Sequence, residues 1–413
     1  MNIKLYNFFE SSTEDSSVPK ILQAIQTKYQ NDSIEIIDMP ALEVKSCIGC
    51  FSCWVKTPGV CVHKDDMSLN YKKIIHSDRL ILLMPTQQGF LDHHVKAYID
   101  RIIPLYHPYI GIYHGELMHE YRYEKYPDID FYFSEAHLEA LDIQIIEDYC
   151  FRMAHHFRIH SNRLIYEDQL MMKPLTYRLP QEDQPWCQYS EAAGKLIIYN
   201  GSPRGLKGNS LIIIQQLIEG MKSQGLSDDQ IEIRSLYEVR NHALWGKDFN
   251  NNARHIFVMP LYVHGMPSIV KAFMENVTPN VSNLETHVSF IVQSGFIERF
   301  QSTYLVPYFA QFAKKINARY GGTVIKGGIE GIQMRPESSL TNLYEVFRNL
   351  GKQYMNEHRF DEMYAKKIGE PYQLSKTIII IFRILRITGV TNSFWNRQLK
   401  ENGVFKRRNE KPF

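Results

Sequence analysis

The sequence predicts an α/β protein made of two tandem, doubly wound parallel sheets followed by a helical C-terminal tail. Three observations favour this class. Aliphatic strand-like segments alternate with helical patterns, part of the first half recurs in the second half, and 413 residues exceed the usual length of one domain. Hydrophobic residues make up 44% and charged residues 22% of the chain, which argues against disordered, collagen-like and coiled-coil classes.

The clearest repeat is a strand followed by a helix. Residues 79–102 align without a gap with residues 254–277, at an offset of 175. In both copies the strand is aliphatic and lacks polar alternation, which is typical of a parallel strand buried on both faces. Six positions are identical, namely Arg79/Arg254, Met84/Met259, Pro85/Pro260, Val95/Val270, Lys96/Lys271 and Ala97/Ala272.

Two shorter matches extend the repeat and locate two insertions. Residues 4–7 match residues 197–200 at an offset of 193, and both segments end in Tyr-Asn. Residues 131–133 match residues 290–292 at an offset of 159. Because the offset falls along the chain, the first half has about 18 extra residues before its middle strand and about 16 after its middle helix.

We predict a first domain at residues 1–180, a second at residues 194–350 and a basic helical extension at residues 351–413. The net charge of +2 argues against nucleic acid as the main partner. From residue 397 onward there are six basic and two acidic residues. We interpret this end as a solvated basic terminus rather than a nucleic-acid or membrane-surface arm.

The hydropathy pattern predicts no membrane span. The longest aliphatic segment near the C-terminus, residues 378–382, ends at Arg383 and is far shorter than the roughly 20 apolar residues of a spanning helix. The chain also starts directly in a strand-like segment, without the apolar core of a secretory signal. We therefore expect a cytoplasmic protein.

A glycine-rich turn follows the first strand of the second half. Residues 200–210 read Asn-Gly-Ser-Pro-Arg-Gly-Leu-Lys-Gly-Asn-Ser and precede a helical pattern at residues 211–222. Glycines allow backbone N–H groups to face an anion, and the helix N-terminus together with Arg204 or Lys207 favours negative charge. The turn therefore predicts a phosphate site, although it is neither a Walker loop nor a dinucleotide motif.

This turn resembles the FMN-phosphate loop of the flavodoxin-like NAD(P)H-dependent FMN reductase and iron-sulfur flavoprotein family. A second motif of that family, a Pro-x-Tyr loop with a Met-Pro pair after the third strand, is matched by residues 260–267. The resemblance implies a flavodoxin-like sheet of strand order 2-1-3-4-5, with FMN at the carboxyl ends of the strands.

The resemblance also implies roles for individual residues. A surface-loop interpretation of Tyr262 and His264 remains open. The phosphate would be held by Ser202, Arg204, Asn209 and Ser210. The ring would be lined by Pro260, Leu261, Tyr262 and Val263, with NAD(P)H stacking near Tyr262 and His264 and the backbone at Ser294 and Gly295 near the flavin edge.

The corresponding loop of the first half has lost this chemistry. At the offset of 193, Phe8 replaces Gly201 and Ser11 replaces Arg204. Three carboxylates also stand where a phosphate would lie, from Glu10, Glu14 and Asp15, and each would repel it. We therefore predict one FMN per chain, in the second unit; a different anion in the first unit, or a flavin held there by other groups, stays an alternative.

Four cysteines lie in the first insertion. Cys47, Cys50 and Cys53 are spaced as Cys-x-x-Cys-x-x-Cys, and Cys61 follows. The segment resembles that of the iron-sulfur flavoproteins, and four close thiolates can hold a 4Fe-4S cluster. Zinc, which usually takes two separated pairs, and thiols without a metal remain alternatives, whereas a reducing compartment disfavours disulfides.

The resemblance implies an FMN-dependent NAD(P)H oxidoreductase, in which hydride passes from NAD(P)H to flavin N5 and electrons then reach a quinone, nitro compound, free flavin or redox protein. The flavin carries this chemistry, so we expect no catalytic side chain. The alternatives are an electron-transfer iron-sulfur flavoprotein and a non-catalytic flavin-fold binding protein.

The two units also suggest an internal pseudo-dimer, possibly assembled into a further homo-oligomer. In this hypothesis the cysteine segment and the second insertion, residues 104–130 with their many Tyr and His, cover the flavin of the second unit. The alternative is that each insertion packs only against its own domain.

Overall fold

The computed structural model describes residues 1–10, 17–159, 161–165, 172–178, 186–187, 194–251, 254–281 and 285–413. The chain divides into two units. Unit 1 comprises Met1–Arg178 together with Leu374–Phe413, and unit 2 comprises Leu179–Gln373.

The main sheet of unit 1 has six strands in the order β10-β9-β8-β3-β1-β2. All neighbours are parallel except β10, which pairs antiparallel with β9. Its strands are β1 (Asn2–Asn7), β2 (Ser33–Asp38), β3 (Arg79–Met84), β8 (Asp128–Phe133), β9 (Asn162–Ile165) and β10 (Met172–Pro174), and two hairpins are formed by β4 (Thr86–Gln87) with β5 (Phe90–Leu91) and by β6 (Tyr106–Tyr113) with β7 (Glu116–Tyr121).

Helices connect these strands, as parallel pairing requires. The hairpin of β6 and β7 lies within the Tyr- and His-rich insertion, so this insertion adds strands outside the main sheet. The helices are α1 (Ser17–Lys28), α2 (Ser52–Val55), α3 (Met67–Ile75), α4 (His93–Asp100) and α5 (Ala140–His156).

Unit 2 has a parallel sheet of five strands in the order β12-β11-β13-β14-β15, which is the predicted order 2-1-3-4-5. Counted from the β2 edge, the sheet of unit 1 repeats this order with β2-β1-β3-β8-β9, and β10 is added at the end. Two tandem flavodoxin-like sheets are therefore confirmed. The strands are β11 (Leu196–Asn200), β12 (Ile231–Ser235), β13 (Arg254–Pro260), β14 (His287–Gln293) and β15 (Arg319–Lys326).

The helices of unit 2 bury an aliphatic core against this sheet. Helices α6 and α11 approach closely, because Gly220 and Gly351 leave room for the facing backbone; a Cβ on Gly351 would lie 2.1 Å from the Leu217 carbonyl oxygen. The helices are α6 (Asn209–Lys222), α7 (His242–Asp248), α8 (Ser268–Glu275), α9 (Phe300–Thr303), α10 (Val306–Lys315), α11 (Thr341–Glu357) and α12 (Glu362–Ile368).

The C-terminal residues are divided differently from the sequence-based boundaries. The predicted boundary at residue 350 falls inside α11, which packs on α6 and so belongs to unit 2. The last 40 residues form α13 (Lys376–Ile387) and α14 (Ser393–Glu401) and belong to unit 1. Buried Trp395 explains this placement, because it packs against Trp54 of the cysteine insertion.

Among the described residues, no single helix is both long enough and apolar enough to cross a membrane.

Candidate functional site

Three loops of unit 2 leave the same edge of the sheet, which we call the carboxyl edge. They follow the adjacent strands β11, β13 and β14. Backbone hydrogen bonds tie each loop to the next strand: Gly201 N donates to Val258 O (2.8 Å), Leu261 N to Gln293 O (2.7 Å) and Ser294 N to Lys326 O (3.0 Å). All the residues predicted to bind FMN lie on these loops, at a strand end or at the start of α6.

The loop after β11 is held by its own side chains. Asn200 Oδ1 accepts from Ser202 N (3.1 Å), and Ser202 Oγ accepts from Arg204 N (3.2 Å). A Cβ on Gly208 would lie 2.0 Å from Ser202 Oγ, and one on Gly201 would lie 2.7 Å from a Val270 methyl carbon. Both positions therefore require glycine, so that the backbone can turn tightly before α6.

The first turn of α6 separates the roles of two predicted phosphate ligands. Asn209 Nδ2 donates to Ile329 O (3.0 Å), so this side chain ties the loop to the segment after β15. Ser210 is fully buried, and among the described residues its Oγ has no hydrogen-bond partner. A buried hydroxyl without a partner is costly, and its place at a helix N-terminus suits an anionic acceptor.

The loop after β13 is a tight hairpin turn. Tyr262 N donates to Gly265 O (2.8 Å), and Gly265 N donates back to Tyr262 O (2.9 Å). The two central residues, Val263 and His264, both have positive φ angles, of 41° and 59°. For a β-branched valine this conformation is strained, and such strain is concentrated at ligand sites.

This turn decides between the two interpretations of His264. The side chain is only 4% exposed, so the surface-loop interpretation does not hold for it. Stacking of NAD(P)H near Tyr262 and His264 stays a prediction. Pro260, Leu261, Tyr262 and Val263 are each half-buried, which leaves part of their surface accessible at the carboxyl edge.

The loop after β14 lies against Glu330, a residue that follows β15 and that the sequence analysis missed. Ser294 Oγ donates to Phe296 O (3.0 Å), and exposed Gly295 lies against Glu330, whose Cβ would be 3.2 Å from a Cβ on Gly295. Burial raises the pKa of Glu330, and the nearby charge of Arg204 opposes that shift. Nothing in the local sequence around Glu330 links this residue to the glycine-rich loop after β11, so sequence patterns could not have found it.

The equivalent loop of unit 1 starts with an aromatic residue. Phe8 N donates to Leu83 O (3.0 Å), which corresponds to the Gly201 contact in unit 2. The Phe8 ring is buried and packs edge-on against Tyr98, with 5.4 Å between centroids. Ser11, Glu14 and Asp15 lie outside the described residues, so the absence of FMN from unit 1 stays a prediction.

The four cysteines of the insertion line one small cavity in unit 1. Its other walls are mainly apolar, from Ile48, Phe51, Val62, Ile103 and Pro104, with His63 and Arg101 also present. Gly49 N donates to Cys47 Sγ (3.4 Å). Burial raises the pKa of the Cys47 thiol to about 12 and that of Cys53 well above its usual range, so metal binding there must release protons.

Two buried guanidinium groups accompany these thiols. Arg101 makes a bidentate pair with Asp65 (2.7 and 2.9 Å), but its Nε is buried without a partner among the described residues. Arg122 is 1% exposed and donates only to backbone carbonyl oxygens, and it forms no ion pair within the part of the chain described. Its charge acts on Cys53. The site therefore has positive charge that an anionic centre would balance.

The arrangement of the thiols does not by itself select a metal. In the described ranges, only Asp92, His93 and His94 place three ligand atoms within 4.8 Å of one another, at the start of α4. A cluster at the four cysteines therefore stays a prediction, beside zinc and thiols without a metal.

The C-terminal tail packs over the cysteine segment. Trp54 donates to the carbonyls of Ile103 and Tyr106 and meets Trp395 edge-on at 5.4 Å. Tyr109 of the second insertion donates to Asn396 Oδ1 (2.8 Å). These contacts lie within unit 1, as expected if the insertions pack on their own domain; the predicted covering of the flavin stays a prediction.

No protein-family model matches the chain. One curated protein does: an iron-sulfur flavoprotein of Archaeoglobus fulgidus is 27% identical over 107 residues, which are 25% of this chain and 48% of that protein. The chain resembles the iron-sulfur flavoproteins. The resemblance drawn from the two sequence motifs is thus confirmed, although the chain spans only about half the length of this relative.

Solved structures similar to this chain include three reductases. They are an FMN-dependent NADH-azoreductase from Bacillus anthracis in complex with FMN (16% identity, TM-score 0.31, 40% of this chain and 100% of that chain), an NAD(P)H:quinone oxidoreductase from Methanothermobacter marburgensis (12%, 0.30, 40% and 97%) and an NADPH-quinone reductase from P. pentosaceus (18%, 0.29, 38% and 96%).

Proposed function

We propose that the chain is an FMN-dependent NAD(P)H oxidoreductase whose flavin binds at the carboxyl edge of unit 2. The observation that carries this proposal is the buried Ser210 hydroxyl. Among the residues that the structure describes it has no hydrogen-bond partner, and it lies at the N-terminus of α6 in a loop where Gly201 and Gly208 leave no room for a Cβ. A phosphate group would supply the missing acceptor.

The residues of the carboxyl edge would have different roles in binding FMN. Ser210 and the loop N–H groups would hold the phosphate, and Arg204 would balance its charge. Ser202 and Asn209 would shape the loop, since their side chains are engaged with Arg204 N and Ile329 O.

The strained turn after β13 would hold the ring through Pro260, Leu261, Tyr262 and Val263. The backbone at Ser294 and Gly295 would approach the flavin edge. The buried His264 side chain would pack inside the turn and keep its shape. Bound FMN would supply the redox chemistry, taking electrons from NAD(P)H and passing them to a quinone, nitro compound, free flavin or redox protein.

The direct test is FMN retention. The purified chain should be yellow, or should take up FMN in equimolar amount, and Arg204→Glu should abolish this. Arg240→Glu, on an exposed residue of the same unit, is the matched control and should leave FMN binding unchanged. A colourless wild-type protein that fails to take up FMN would overturn the proposal.

We propose a 4Fe-4S cluster at Cys47, Cys50, Cys53 and Cys61 as a second candidate centre, which would make the chain an electron-transfer flavoprotein. The observation that favours it is the cavity shared by the four thiols beside Arg122, whose charge has no carboxylate partner in the described structure. The cluster would exchange single electrons.

Anaerobic purification followed by iron and sulfide assays tests this centre. About four of each per chain are expected for a cubane. Cys53→Ser should abolish the iron content, whereas Cys150→Ser, a buried cysteine in α5, should not. Iron-free protein from anaerobic cells would contradict the cluster and leave the flavin proposal standing.

A further inference from the structure

Helix α13 has an apolar face that the described structure leaves uncovered. None of its 12 residues is buried. Ile380, Ile384 and Ile387 are 57%, 56% and 88% exposed, and their i, i+4, i+7 spacing places them on one stripe of the helix. Exposed Ile381 and Leu385 widen it. A continuous exposed aliphatic surface of this kind marks an interaction site.

The charged residues of α13 and of the segment that follows it are all basic. From residue 375 to residue 400 there is no Asp or Glu. Arg386 pairs with Glu120 of unit 1, while Lys376 and Arg383 are exposed. Cations beside an aliphatic stripe match an anionic surface with an apolar interior. Five cations occur in this stretch, namely Lys376, Arg383, Arg386, Arg397 and Lys400.

Helix α14, which follows α13, is packed on unit 1. In α14 Trp395 and Leu399 are buried, and Trp395 packs on Trp54. At 1.5 Å per residue α13 is about 18 Å long, well short of the roughly 30 Å hydrocarbon core. Helix α13 and residues 390–401 together have the length and apolar composition of a span, but the chain bends by 81° between them. A short helix of this kind lies along a membrane surface.

We propose that α13 is a membrane-surface anchor whose isoleucine stripe inserts into the headgroup boundary of an anionic bilayer. A second copy of the chain fits less well. Two α13 helices packed face to face would bring their cations together, and residues 375–400 contain no acidic residue to neutralise them. This proposal does not depend on the flavin site.

Flotation of the full-length protein with lipid vesicles tests the anchor. We expect binding to vesicles of phosphatidylcholine and phosphatidylglycerol in equal parts, weakening with salt, and little binding to phosphatidylcholine alone. Ile384→Asp should lower the partition coefficient at least about tenfold, because an apolar side chain is withdrawn from the bilayer. Arg383→Gln should lower it about fivefold.

Leu244→Asp in unit 2 is the control, since Leu244 is also exposed (66%) but lies outside α13; it should bind like the wild type. Thermal unfolding should be unchanged in all three variants. Failure of the wild type to bind the mixed vesicles would overturn the proposal. So would a dimer in sedimentation that Ile384→Asp converts to a monomer, because the occupant would then be a second copy.

Discussion

The two units share their backbone framework but not their site chemistry. Asn200 Oδ1 accepts from Ser202 N at 3.1 Å in unit 2, and Asn7 Oδ1 accepts from Phe9 N at 3.2 Å in unit 1. Their next contacts also correspond, with Gly201 N and Phe8 N each donating to the neighbouring strand. The fold thus tolerates replacement of the residue that opens the phosphate loop.

The shared framework extends to the helix after the third strand. In α4 Lys96 pairs with Asp100, and in α8 Lys271 pairs with Glu275; all four side chains are almost completely buried. Tight hairpins precede both helices, at Thr86–Leu91 and at Tyr262–Gly265. The two units have thus kept the contacts that the sheet and the helix need, whereas the residue that opens the glycine-rich loop has changed.

The largest expected effect concerns these buried pairs. Lys96→Met and Lys271→Met should each lower the free energy of unfolding by about 3 to 5 kcal/mol, because each removes the lysine that pairs with a buried carboxylate. Denaturant unfolding of the two variants is the measurement. A large effect in only one unit would break the comparison. Lys271→Met combined with Glu275→Leu, which removes both charges, should recover most of the loss.

The next effect concerns the opening residue of the loop. Gly201→Phe installs in unit 2 the residue of unit 1 and should abolish FMN binding, at a cost of about 1 to 3 kcal/mol in stability, because even a Cβ there lies 2.9 Å from the Met259 Cβ. Visible absorbance and thermal unfolding report both effects. The reciprocal Phe8→Gly should not create a second flavin site; if it does, the two loops differ less than we infer.

A smaller effect separates ligand binding from folding. Ser210→Ala should weaken FMN binding about tenfold, since one charge-assisted hydrogen bond is lost, yet leave the apoprotein at least as stable as before. Ser202→Ala should instead destabilise the apoprotein by about 1 kcal/mol, because Ser202 Oγ accepts from Arg204 N. Titration calorimetry with FMN measures the affinity of the two variants, and denaturant unfolding of the apoproteins measures their stability. Equal destabilisation would remove Ser210 from the proposed site.

The smallest effect is a pH dependence that only unit 2 should show. Burial raises the pKa of Glu330, so its carboxyl is neutral at low pH and becomes charged as the pH rises through that raised value. The FMN dissociation constant should therefore increase with pH, by at most about tenfold per pH unit. Glu330→Gln should remove this increase and keep only the pH dependence that comes from titration of the FMN phosphate. If the dissociation constants of the wild type and of Glu330→Gln change with pH in the same way, Glu330 does not belong to the site.

Local pattern was sufficient for the strand–turn–helix that carries the glycine-rich loop and for the repeat. Strand, turn and helix follow each other within about 30 residues, and the glycines that the turn needs are visible in the sequence. Local pattern was insufficient for Glu330, which reaches Arg204 from a segment more than 120 residues away. It was also insufficient for His264, because burial depends on what packs around the turn.

The sequence by itself therefore determined the α/β class, the tandem repeat and the loops that meet at the carboxyl edge, because hydrophobic periodicity and glycine positions are local properties. Only the tertiary structure decided that the Ser210 hydroxyl is buried without a partner among the described residues while Asn209 is engaged, that the tail packs on the cysteine segment of unit 1 and that α13 leaves its isoleucines exposed. Each of these depends on contacts between residues far apart in the chain, which no short pattern records.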